Sequence, residues 1–201
     1  MTNRSKSGYQ AAPLSPLPRS YRATLANPNW RAAMEAEHSA LLANNTWDLV
    51  PRPPRCNIVS GKWVFKHKFK ADGSLDRYKA RWVARDFTQR PGVDFDETFS
   101  LVVKPATART VLSIALSRAW PINQLDVNNA FLQGTLSETV YSAQPTGFED
   151  SAHPDYVCRL KRSLYGLKQA PRAWRSRFAS LLKIGFVEAK TDTSLCLPLW
   201  S

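Results

Sequence analysis

Cysteine, histidine and acidic residues are all scarce in this chain, and each shortage excludes something. The three cysteines (Cys56, Cys158 and Cys196) lie far apart and are odd in number. They make neither a disulfide framework nor a zinc-ligand spacing. Three scattered histidines add no metal cluster. No apolar run approaches the roughly 18 to 20 residues that span a bilayer, and the N-terminus lacks the apolar core of a signal peptide. An intracellular, reducing location without a membrane partner is expected, with cytoplasm and nucleus left open. Oligomeric state has no readable signature. Acids number 16 against 28 Lys and Arg, a net charge of +12. The surplus is concentrated: Arg55 to Arg90 holds ten Lys/Arg and three acids, and Arg159 to Arg177 holds seven Lys/Arg and no acid. Two basic stretches of this kind point to a polyanion, most simply nucleic acid. A solvated basic face kept for solubility is the plainer alternative.

The 201 residues suffice for one domain with a substantial core, and seven tryptophans argue for large buried surfaces. Residues 1–26 are polar and proline-dotted without periodicity, which predicts a disordered or loosely packed leader. Asn27-Pro28 is a helix start, and Trp30, Ala33, Met34, Glu37 and Leu41 follow at helical spacing, giving an amphipathic helix within 27–45. Thr46 to Val50 reads as a strand stopped by Pro51, Pro53 and Pro54. From Lys62 to Arg85 the alternation predicts a hairpin turning at Asp72-Gly73. One face would carry Val64, Lys66, Lys68, Lys70, Lys79, Arg81 and Val83, the other Phe65, His67, Phe69, Tyr78, Ala80 and Trp82. Lysines opposite Lys and Arg repel one another, and a polyphosphate on that face would relieve the repulsion. Asp94, Asp96 and Glu97 are close enough to bind a cation, but a loop of solvated charges is the plainer reading. Pro105 to Ala119 is a helix with Val111, Leu112, Ala115 and Leu116 inward. Glu138 to Ala143 and Tyr156 to Leu160 are strands. Ser163 to Trp174 is a glycine-hinged loop leading into a helix with Trp174, Phe178, Leu181 and Leu182 inward and Gly185 at its end. Phe186 to Leu199 is extended.

The centre of the chain is Gln124-Leu125-Asp126-Val127-Asn128-Asn129-Ala130-Phe131. It reads as a short buried strand ending in a carboxylate, with Phe131 near enough to wall the same pocket. A carboxylate at the end of a buried strand needs a partner or a metal. An Asp capping a helix after a strand is an equally good reading of these residues alone.

In order along the chain stand NPNWRAAMEAEHSALLANNTWDLV, GKWVFKHKF, DGSLDRYKARWVARDFTQRPGVDFDETFSLVV, QLDVNNAFLQGTLSETVYSAQPTGF and VCRLKRSLYGLKQAPRAW. Collinear over roughly Tyr21 to Leu197, these strings resemble the reverse transcriptase segment of copia-type retrotransposon polyproteins. The resemblance implies an α+β fold, a partial reverse transcriptase with fingers and palm, a basic β-hairpin and packed helices, in which 46–201 would be the fingers and a C-terminally truncated palm. It implies that Asp126 is the first catalytic, metal-binding aspartate, acting with Mg2+ or Mn2+. Phe131 would stack against the incoming sugar, Lys79 and Arg81 would hold the triphosphate, and Tyr165 and Gly166 would line the nucleotide. Lys168, Gln169 and Arg172 would meet the template and primer. The implied partners are an RNA or DNA template-primer and a deoxynucleoside triphosphate.

The chain also departs from the family. Two-metal transfer needs more than one carboxylate, and the family supplies the rest as Tyr-Val-Asp-Asp or a variant. This sequence contains no Asp-Asp pair. Asp192 matches a position before that motif, and Glu138 and Glu149 are elsewhere. Asp86 stands where the family usually has glycine, Ser142 where it has methionine, Thr193 in place of a turn residue and Cys196 in place of an aromatic. A positive φ at Asp86 would be strained. A fragment of an RNA-directed DNA polymerase, inactive as this chain and marginally stable by itself, is therefore expected. A non-catalytic nucleic-acid-binding module and a non-functional retroelement relic are the alternatives.

Overall fold

Asn27 sets the first long element. Its Oδ1 accepts from the backbone N–H groups of Asn29 (3.1 Å) and Trp30 (3.3 Å). Pro28 occupies the first helical position, where a missing N–H is harmless. The computed structural model describes residues 14–18, 20–100, 102–182, 185–190 and 195–198. A six-residue helix, α1 (Tyr21–Ala26), is capped by Ser20 and precedes α2 (Pro28–Ala43). This corrects the expected loose leader over its described part. Ser15 N donates to Tyr78 Oη (3.0 Å), Pro16 O accepts from Trp30 Nε1 (2.9 Å), and Ser15 O lies 2.9 Å from His67 Nε2. Aromatic side chains with polar tips offer this segment fixed partners, which the composition alone does not reveal. Residues 1–13 of the predicted leader lie outside the described residues.

Strand β1 (Trp47–Val50) is followed by the long hairpin of β2 (Gly61–Phe69) and β3 (Leu75–Ala84). The pairing sets Lys66 opposite Lys79, Lys68 opposite Arg77 and Val64 opposite Arg81, with Trp63 opposite Trp82 and His67 opposite Tyr78. The period of 2 along both strands therefore sorts cations to one face and rings to the other. The turn is closed by Asp72, whose Oδ1 accepts from Ser74 N (2.8 Å) and Ser74 Oγ (2.6 Å). The aromatic face packs on α2. Trp30 is fully buried and meets Phe65 and Tyr78 edge-on at 5.4 and 4.7 Å between ring centroids.

Helix α3 (Pro105–Ser117) comes next, then strand β4 (Tyr141–Ser142), strand β5 (Val157–Leu160), helix α4 (Ala170–Leu182) and the small pair β6 (Phe186–Glu188) and β7 (Cys196–Pro198). A three-stranded antiparallel sheet has the order β1-β5-β4, so residues 47–50 pair with 157–160 across more than half the chain. Between this sheet, the hairpin base, α2 and the 163–170 loop lies the core: Leu41, Val59, Trp82, Leu132, Val140 and Leu164, all buried. The architecture is a mixed helix-and-strand fold.

Several expectations are corrected. Gln124 to Val127 is not a strand and is exposed; Leu125 keeps 90% of its surface. A strand needs a ladder partner, and among the described residues none lies beside it. Leu112 and Leu116 of α3 do not pack inward: they are 47% and 72% exposed, and Ala115 is the helix's buried residue. Phe178 of α4 is likewise exposed. The strand expected over 138–143 shortens to Tyr141–Ser142, because Glu138 instead pairs with Arg172. Asp94 is not solvated; it is buried, and its Oδ2 accepts from Arg90 N (2.7 Å) and from Asn57 Nδ2. Asp86 is unstrained: it opens a 3-10 turn (Asp86–Thr88), lies outside the positive-φ residues, and accepts from Phe87 N at 3.0 Å. Asp192, Thr193, the side chains of Leu181 and Leu182, and the last three residues lie outside the described residues.

Candidate functional site

The cationic face of the hairpin brings Lys66, Lys68, Arg77, Lys79 and Arg81 together through the β2–β3 register. Like charges opposed across a ladder are unfavourable, and Lys79 registers it. Burial first, then the neighbouring charges of Arg81, Arg77 and Lys68, lower its ammonium below the ordinary lysine value, while Glu37 acts the other way.

Arg81 sits over Tyr165, its guanidinium carbon 4.6 Å from the ring centroid. A cation over an aromatic face is an attractive, directional contact. Tyr165 in turn meets Phe131 edge-on at 5.6 Å, and its hydroxyl donates to Asn129 Oδ1 at 3.5 Å. Burial raises the Tyr165 phenol above its usual value, partly offset by the nearby Arg81 charge. Asn129 adopts a left-handed conformation (φ 52°), which asparagine tolerates, and so turns the chain into the 3-10 turn Ala130–Gln133 that carries Phe131.

Gly166 is what lets Tyr165 reach the hairpin. Its φ is +88°, and an added Cβ would stand 2.1 Å from Ala84 O and 2.7 Å from Val83 Cγ1. Only glycine fits such a close backbone approach. Beside it, Ala84 N donates to Tyr165 O at 2.7 Å, using the edge of β3 that faces away from β2.

Three separate segments thus bring Arg81, Tyr165, Gly166 and Phe131 together, with Lys79 on the adjoining face. Beyond Phe131 opens a cleft of about 570 Å³ lined by Val102, Val103, Trp174, Arg175 and Phe178. Asp126 is not among the residues that line this cleft. The exposed 121–127 segment carries Asp126 without a strand to hold it. Among the described residues no three His, Cys, Asp or Glu side chains group to hold a metal ion. The carboxylates among the described residues therefore supply no donor set for a pair of divalent ions.

The residues expected at template and primer divide. Lys168 is exposed, with its ammonium 4.8 Å from the Phe95 ring centroid. Arg172 is held by Glu138 and lies 3.9 Å from Glu97. Gln169 is fully buried: its Nε2 donates to Asp94 O (2.8 Å), and its Oε1 accepts from Gln89 Nε2 (3.0 Å). Its amide bridges the 86–95 loop to α4, so a direct side-chain contact with nucleic acid is corrected to a structural one.

Nothing in the sequence pairs Asn129 with Tyr165, and helical spacing places Glu37 in a core stripe without marking its charge. Glu37 is buried, one of its oxygens lacks a hydrogen-bond partner, and it sits in the α2 stripe with Trp30, Met34 and Leu41. A carboxylate in an otherwise apolar helical stripe was the signal available.

Residues 44–197 match the family model described as reverse transcriptase (RNA-dependent DNA polymerase). The chain belongs to this family, in its copia-type retrotransposon branch. It is 55% identical over 180 residues to the retrovirus-related Pol polyprotein from transposon RE2 of Arabidopsis thaliana, covering 89% of this chain and 12% of that protein. It is 46% identical over 169 residues to the corresponding polyprotein from transposon TNT 1-94 of Nicotiana tabacum, covering 83% of this chain and 13% of that one. An uncharacterized mitochondrial protein of Arabidopsis thaliana is 51% identical over 98 residues, 49% of this chain and 58% of that protein. The chain thus spans about an eighth of the polyproteins' length. No solved structure matches. Among the described residues no helix is long and apolar enough to cross a membrane.

Proposed function

We propose that this chain is the fingers and part of the palm of a reverse transcriptase, able to hold a deoxynucleoside triphosphate and a template-primer but not, as this chain alone, to extend the primer. One observation carries the proposal: Arg81, Tyr165 and Phe131 come from three distant segments and meet beside a row of cations. The β2–β3 hairpin is the fingers element. Its Lys79 and Arg81 neutralise the triphosphate, where fixed cations are worth most because no reorganisation is needed. Phe131, held edge-on by Tyr165, walls the sugar. Gly166 keeps the backbone low at the nascent base pair. Lys168, exposed beside Phe95, supports sequence-independent contact with the phosphate backbone. Arg172 lies beside the same groove but is engaged by Glu138.

Members of this family use divalent metal, Mg2+ or Mn2+, and two-metal transfer is served by more than one carboxylate. Asp126 is the residue that would take the first position. It is exposed and, among the described residues, belongs to no group of three His, Cys, Asp or Glu able to hold a metal, so no phosphoryl-transfer step is assigned to this chain.

The test is titration of a labelled RNA–DNA primer-template at several salt concentrations, with a primer-extension assay alongside. Binding with a steep salt slope is expected, and K168A should reduce the slope by about 0.8, one phosphate contact at 0.7 to 0.9. No extension is expected. Salt-independent or absent binding would remove the fingers assignment and favour a relic, and robust extension would overturn the claim of inactivity.

A further inference from the structure

Lys168 is an exposed cation with a fixed seat. Among the described residues it forms no ion pair within 4 Å. A lysine in that setting ordinarily keeps its full rotamer freedom. Here the 86–95 loop grips it at both ends. Its backbone N–H donates to Gln89 Oε1 at 2.9 Å, and its ammonium stands 4.8 Å from the Phe95 ring centroid. Gln89 and Phe95 are both buried. A buried amide needs partners on its oxygen and on its nitrogen. Gln89 finds both across the gap, since its Nε2 donates to Gln169 Oε1 at 3.0 Å. The loop that supplies these two residues is itself tied down. Asp94 Oδ2 accepts from Arg90 N (2.7 Å), Thr88 O accepts from Asn57 Nδ2 (2.8 Å), Thr88 Oγ1 accepts from Ser60 N (3.2 Å), and Gly92 N donates to Phe95 O (2.9 Å). A buried polar network satisfied in this way is rigid. It ends on the charged residue of the 163–170 loop.

We infer that Gln89 and Phe95 are positioning residues for Lys168, which set the origin and the tip of its side chain before nucleic acid arrives. The inference rests on the assignment of Lys168 to the phosphate backbone made above. Neither residue touches the nucleic acid. Gln89 fixes the backbone from which the side chain starts, and the Phe95 ring holds the ammonium by a cation–π contact while leaving it exposed. An acid in the place of Phe95 would hold the ammonium more firmly but would cancel its charge, as Glu138 does to Arg172. A ring leaves the charge for phosphate. Ordering a long side chain on binding costs affinity, and a side chain ordered beforehand avoids that cost.

The test is a double-mutant cycle on the full chain, titrated with a labelled RNA–DNA primer-template. Q89M removes both hydrogen bonds of the amide at similar volume, and F95L removes the ring but not the apolar bulk. Each is made with Lys168 present and in the K168A background, and far-UV circular dichroism checks the fold. With Lys168 present, each is expected to weaken binding about two- to tenfold, the cost of ordering one long side chain. In the K168A background each is expected to change affinity by less than about twofold, because the side chain to be ordered is gone. A residue that serves only the stability of the loop would weaken binding equally in both backgrounds. Equal weakening, or none in either background, overturns the inference for that residue. Because the two variants act on opposite ends of Lys168, one that fails to fold leaves the other to decide. A salt slope unchanged by K168A alone removes the phosphate assignment of Lys168, and the inference falls with it.

Discussion

Replacing Gly166 with alanine is the sharpest perturbation of the site's scaffold. The glycine has φ +88°, and a Cβ there would fall 2.1 Å from Ala84 O, a backbone atom that cannot rotate away. Left-handed backbone costs a non-glycine residue about 1 kcal/mol or somewhat more. To clear the clash, the 165–166 peptide must lift from β3. That breaks the Ala84 N–H bond to Tyr165 O (2.7 Å), worth about 1 kcal/mol net and more if the N–H stays buried. The Arg81–Tyr165 stack adds about 0.5 to 1 kcal/mol. A loss of about 3 kcal/mol follows, a large fraction of the roughly 5 to 15 kcal/mol a domain has. Near 200 residues this corresponds to a Tm lower by about 6 to 12 °C. Urea unfolding followed by far-UV circular dichroism gives the first number, and thermal unfolding the second. A loss under about 1 kcal/mol would refute the account of why glycine stands there.

Three further outcomes follow from the packing. Trp30→Ala removes a fully buried indole that bridges α2 to Phe65 and Tyr78 and donates to Pro16 O; the expected cost is about 3 to 5 kcal/mol in urea unfolding. Cys158 is buried, and burial pushes its thiol up to about 12. Two of the three cysteines should therefore react with a thiol reagent in the native state, and Cys158 only on unfolding. His38 stacks on Phe148 at 4.7 Å, and burial lowers its imidazole below the ordinary value. The unfolded chain then takes up the proton first, so the stability His38 contributes is complete above about pH 6.5 and is lost as pH falls through the interval down to the lowered value. H38Q should flatten the stability slope in that window, as chemical denaturation at several pH values would show.

How much was legible in the sequence depended on where each residue finds its partner. The hairpin was legible because alternation is local. Val64 to Phe69 and Tyr78 to Val83 state their faces by themselves, and the register follows. The start of α2 was legible because Asn27 and Pro28 are adjacent. The pairing of β1 with β5 was not, since nothing in Trp47–Val50 names Val157–Leu160. The Gln124–Val127 stretch misled because its apolar residues suit a strand, while a strand exists only beside another. Leu112 and Leu116 misled similarly: helical spacing identifies an apolar stripe but not whether another element covers it. At the site, Arg81 and Tyr165 were named from the family resemblance, and their contact is a fact of the fold. Gln169 is placed at the nucleic acid by the family resemblance, which names a segment and not the direction of each side chain, and its amide is consumed between Gln89 and Asp94. Glu37 was read as part of a core stripe, where its charge was the exception.

The most direct measurement is the affinity of the unmodified chain and of K79A/R81A for a deoxynucleoside triphosphate, by equilibrium titration at fixed ionic strength. The fingers assignment predicts measurable binding by the unmodified chain and a loss of at least about tenfold in the double variant, since two cations at a few ångströms from phosphate contribute on the order of 1 kcal/mol or more together. Equal affinities for the two proteins would mean that the basic hairpin does not hold the triphosphate, and would contradict the account at its centre.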